Sequence, residues 1–66
     1  MQEPQPKTAI EIQAYARQLY EAQGPRAIAE AAQKASRLER QKDMEQAHMW
    51  RRIEAALLLM RGPRQT

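Results

Sequence analysis

Cysteine is absent from the chain, so neither a disulfide nor a thiolate metal site can staple it. Its only histidine, His48, cannot build a metal site unaided. Serine is as scarce: Ser36 stands alone, twelve residues before His48 and on a different expected helix. Nucleophilic catalysis needs an oriented base, a group to hold that base and an oxyanion site. The sequence supplies no such set, so no catalytic residues and no enzymatic activity are expected. Glycine occurs only as Gly24 and Gly62, each directly before a proline. That excludes a glycine-rich phosphate loop and argues against nucleotide cofactors, and no small-molecule substrate is evident. The longest apolar run, residues 55–60, is six long, against the roughly 20 residues of a membrane-spanning helix. Residues 1–6 have no basic start followed by an apolar stretch, so neither a secretory signal nor a transit peptide is expected. The lack of cysteine fits a reducing, cytoplasmic setting.

Sixty-six residues suffice for one domain that buries little of its surface, so extra burial against a partner would matter to its stability. The 11 basic and 8 acidic residues give a net charge of +3, but they are interleaved rather than segregated, which is a weak polyanion signature. The expected organisation is a flexible tail over 1–7, a single helical domain over 8–62 and a short tail over 63–66. Pro4 and Pro6 keep the residues before them out of the α region.

The helices can be read from their ends inward. Thr8-Ala9-Ile10-Glu11 has the form of a capping box, which starts a helix over roughly 9–23. Ile12, Tyr15, Ala16, Leu19 and Ala22 then share one face, opposite Glu11, Arg17, Gln18 and Glu21. Gly24-Pro25 stops that helix and starts the next, over roughly 25–41. Ala27, Ile28, Ala31, Ala32, Ala35 and Leu38 form its apolar stripe, dominated by methyl groups that allow close approach but bury little area. Asp43 with Gln46 offers a second cap, which breaks the chain at the polar corner Arg40-Gln41-Lys42 in preference to one continuous helix. The third helix covers roughly 44–61, and Gly62-Pro63 stops it. The fold class expected is all-α: an antiparallel hairpin of the second and third helices, with the first folded back over it.

The third helix carries more apolar surface than one groove can cover. Met49, Trp50, Ile53, Ala56, Leu57 and Met60 make its main stripe, with Trp50 expected to anchor the core beside Ile53 and Leu57. Leu58 lies about 140° and Leu59 about 240° around the helix from Ile53. A second face formed by Ala55, Leu58 and Leu59, flanked by Arg51 and Arg52, is therefore the expected protein interface. Its natural use is a homodimer contact, the same patch meeting itself, or a contact with another protein. The nearest thing to a nucleic-acid signal is Arg37, Arg40, Arg51 and Arg52. They are diluted by Glu30, Glu39, Asp43, Glu45 and Glu54, and no polar recognition helix follows a helix-turn-helix turn.

The runs Ala29-Glu30-Ala31-Ala32-Gln33-Lys34-Ala35, Trp50-Arg51-Arg52-Ile53 and Met60-Arg61-Gly62-Pro63 together resemble a pattern in short bacterial all-helical proteins. The resemblance implies a compact helical protein and carries over no catalytic or binding residue. More loosely, the second and third helices are similar to the hairpins of tetratricopeptide-type adaptor modules. The leading expectation is thus a small, non-enzymatic protein-interaction module that self-associates, with a nucleic-acid-associated regulator as the alternative.

Overall fold

A computed structural model describes residues 6–61. Among them are three α-helices and no strand: α1 (Ala9–Gln23), α2 (Arg26–Arg40) and α3 (Met44–Arg61). Residues 1–5 of the expected 1–7 tail, the tail over 63–66 and the Gly62-Pro63 stop lie outside the described residues. Successive helices run antiparallel, so α1 and α3 run the same way. Lys7 shares a groove with Glu45, and Arg17 shares one with Met60.

The capping box of α1 forms in full. Glu11 N–H donates to Thr8 Oγ1 at 3.1 Å, and Thr8 N–H to Glu11 Oε1 at 3.3 Å. Lys7 N–H also donates to Glu11 Oε1, at 2.9 Å, and Pro6 is buried. Pro6 and Lys7, the last two residues of the expected tail, are thus held against the start of α1. Three donated hydrogen bonds to the Thr8–Glu11 pair satisfy amides that the helix start would otherwise leave orphaned. The Glu11 carboxyl is held below its usual range, first by the Lys7 amide and then by the Thr8 amide.

At the other end, Gly24 takes φ 66°, and its N–H donates to Tyr20 O at 2.7 Å. A side chain there would meet no atom within 4 Å, but the left-handed φ is what an L-residue resists. With its amide nitrogen turned toward Glu30, Gln23 donates to that carboxylate at 2.8 and 3.2 Å, tying the end of α1 to α2.

The chain does break between α2 and α3, by a Schellman motif. Asp43 N–H donates to Leu38 O at 2.9 Å and Lys42 N–H to Glu39 O at 3.0 Å, with Lys42 at φ 66°. A lysine thus occupies the left-handed position usually given to glycine. Asp43 then caps α3 by accepting from Gln46 N–H at 3.4 Å. The reciprocal half of the expected box is not needed, because the Asp43 amide is already spent on Leu38.

The core lies between α3 and the other two helices. Ile53 and Leu57 are 0% exposed and Trp50 5%, as expected of the main stripe. Facing them, Ala27, Ala31 and Ala35 of α2 and Ile12 and Ala16 of α1 are buried. Ala47, outside the expected stripe, is buried as well, whereas Ala22 is exposed. Trp50 meets the Tyr15 ring edge-on, centroids 5.9 Å apart at 73°, and Lys34 Nζ lies 4.9 Å from the indole centroid. Such aromatic and cation–π contacts add to the area that the indole buries.

Two outcomes follow from this packing. Trp50→Ala should cost about 3–5 kcal/mol, a large share of what so small a domain can have, and denaturant melts will read it. The wild-type indole should emit blue-shifted and resist acrylamide; a red-shifted, freely quenched emission would contradict its burial. Lys42→Gly should raise stability by about 0.5–1 kcal/mol, since relief of the left-handed strain exceeds the added unfolded-state freedom. An unchanged urea midpoint would show that no strain is stored there.

Candidate protein-interaction face

The two arginines expected to flank one interface lie on different sides of α3. Arg51 turns toward α2. Its Nε and Nη2 donate to the two carboxylate oxygens of Glu39 at 3.2 and 3.3 Å, Nη1 donates to Glu54 at 3.1 Å, and Nη2 also reaches Ser36 Oγ at 3.3 Å. The fork grips a planar carboxylate with two parallel bonds, as a guanidinium is shaped to do. The Glu39 carboxyl is held below its usual range by the Arg51 hydrogen bonds. The Arg51 guanidinium is in turn pushed up by Glu39 first and Glu54 second. This is a surface clamp across the hairpin, and its charge is already matched.

Arg52, one residue on, turns toward α1. It lines a groove of about 460 Å³ with Lys7, Ile12, Glu45, His48 and Met49. Arg37 and Arg40 line a shallow depression on α2 with Ala32 and Ser36, and Arg37 also borders a groove with Tyr15, Leu19 and Trp50. The four arginines considered for phosphate contact therefore do not make one patch. His48 is exposed, and no group of histidine and carboxylate side chains among the described residues could hold a metal ion.

Ala55, Leu58 and Leu59 form the outer ridge of α3. All three are exposed, Leu58 at 41% and Leu59 at 76%. Neither leucine is taken up by the packing of α1 or α2. They also differ in setting. Leu59 borders a groove of about 180 Å³ with Gln13, Arg17, Ala56 and Met60, whereas Leu58 projects from the other shoulder of the ridge, about 100° away. Ile10, 81% exposed, and Met44, 59% exposed, add apolar surface on α1 and at the start of α3.

Sequence reasoning missed the Glu39–Arg51–Ser36 clamp and the division of labour between Arg51 and Arg52. Opposite charges on either side of the corner were the available signal for the clamp. No helix among the described residues is long and apolar enough to cross a membrane. Compared with known proteins, the chain matches no family model, no curated protein and no solved structure.

The clamp carries a pH dependence whose sign is fixed. Because the folded state depresses the Glu39 pKa, its contribution to stability is full above the ordinary carboxylate range and is lost as pH falls through the folded-state value. Glu39→Gln should therefore lower near-neutral stability by the small amount that an exposed pair contributes, and flatten the acid limb of a stability–pH curve to the same extent. A variant whose acid limb matches wild type would mean that the clamp is not populated in solution.

Proposed function

We propose that this chain is a small, non-enzymatic protein-interaction module whose docking surface is the outer ridge of α3, and that it self-associates there. The observation that carries the reading is the exposure of Leu58 and Leu59 side by side with Ala55 on a helix whose opposite face already fills the core. A chain of this size gains from further burial. Two copies of an apolar ridge can meet about a two-fold axis without needing a complementary partner. A cytoplasmic setting accords with the absence of cysteine.

Phosphate binding through Arg37, Arg40, Arg51 and Arg52 is the weaker reading. Arg51 is matched by Glu39 and Glu54, and Arg52 lines a different groove from Arg37 and Arg40, which spreads the charge over separate surfaces.

Light scattering tests the leading reading. The wild type should exceed monomer mass at high micromolar concentration. Replacing Leu58 and Leu59 together by serine should return it to monomer with the far-ultraviolet helical signal intact. A wild type that is already monomeric under those conditions rules out self-association through the ridge.

A further inference from the structure

We infer that the seam between α1 and α3 is a docking groove for an acidic amphipathic helix carried by another protein. The inference rests on the interaction reading above; it shares Leu59 with the ridge but neither Ala55 nor Leu58, and it assigns the seam a different kind of partner.

The seam is long enough and shaped for a helix. On the α3 side its wall is Glu45, Met49, Arg52, Ala56, Leu59 and Met60. From Glu45 to Leu59 these recur at intervals of four and three, and Met60 follows Ala56 by four, so they form one stripe. From first to last they span roughly 22 Å, about four helical turns. On the α1 side Lys7, Gln13 and Arg17 line it. Ile10 precedes Gln13 by three residues and Arg17 by seven, which places it on the same flank. The two most exposed large apolar residues, Ile10 on α1 and Leu59 on α3, thus stand on opposite flanks of the seam, whose surface is two successive depressions, one lined by Arg52 and Met49 and the other by Leu59 and Arg17. A single exposed leucine is ordinary, but paired apolar rims around a groove match the way an amphipathic helix is received.

Charge selects the occupant. Lys7, Arg17 and Arg52 line the seam against the single carboxylate of Glu45. Neither Arg17 nor Arg52 enters an ion pair among the described residues, in contrast to the clamped Arg51. A second copy docking two-fold in this seam would set these cations against themselves, a juxtaposition that disfavours the contact. A phosphate polymer would satisfy the cations and leave Ile10, Leu59 and Met60 uncovered. An apolar stripe flanked by carboxylates satisfies both features at once.

The test uses two fluorescein-labelled synthetic helices of about 16 residues with the same leucine stripe, one flanked by glutamates and the other by lysines. Anisotropy titrations at low salt, where surface charge is least screened, give affinity, and amide chemical shifts give location. The glutamate peptide should bind saturably and about tenfold more tightly than its lysine twin, with shifts concentrated on the two walls of the seam. Arg17→Glu combined with Arg52→Glu should reverse the ranking. Both sites are exposed, and the far-ultraviolet signal should confirm that the fold is kept. Equal binding of the two peptides, shifts centred on the Arg37–Arg40 side, or a seam that responds to duplex DNA or anionic vesicles but to neither peptide would overturn the assignment. If the wild type dimerises through the ridge while the seam stays silent in a monomeric Leu58→Ser variant, which keeps Leu59, the ridge reading survives and this one falls. A monomer with a silent seam removes both.

Discussion

Close approach between α2 and α3 is the constraint on which the rest of the structure depends. The buried face of α2 is Ala27, Ala31 and Ala35, with Ile28 and Leu38 packed beside it, so along the centre of the contact α2 contributes only methyl groups. The volume of the core must then come from α3, through Trp50, Ile53 and Leu57, and from Ile12 on α1. Small-against-large packing fills space at native density without strain. It also leaves little tolerance: Ala35 is 0% exposed, and a bulkier side chain there would have to separate the two helices. Because α3 spends its large apolar residues on two neighbours, its outer arc is what remains to face solvent or a partner.

Much of this architecture was legible in the sequence because its punctuation is chemical. Thr8 with Glu11 and Gly24 before Pro25 each satisfy or forbid particular backbone groups, so the ends of α1 could be read within a residue. The corner between α2 and α3 was legible from Asp43 but not in its mechanism. The left-handed residue is Lys42, and lysine carries no sign of that conformation; only the hydrogen bonds to Leu38 and Glu39 reveal it. The exposed leucines followed from the angular step of a helix alone.

The arginines show where such reading runs out. Arg51 and Arg52 are adjacent in sequence and about 100° apart on the helix. Which one meets α2 and which meets α1 depends on how three helices rotate against one another, and that is set by the whole core rather than by any local motif. Ser36 belongs to the same lesson. It looks like a neutral helix residue until packing brings it within 3.3 Å of a guanidinium.

The tight corner at Lys42 also bears on the order in which the molecule assembles. Most of the tertiary packing joins α2 to α3, elements separated by only a few residues, so the search that brings them together is short and its loop-closure entropy small. The hairpin can therefore form first and present Trp50 and Ile53 as a template on which α1 settles. Run in reverse, the same topology makes α1 the segment whose amides exchange soonest with solvent, through a partial opening that leaves the hairpin standing.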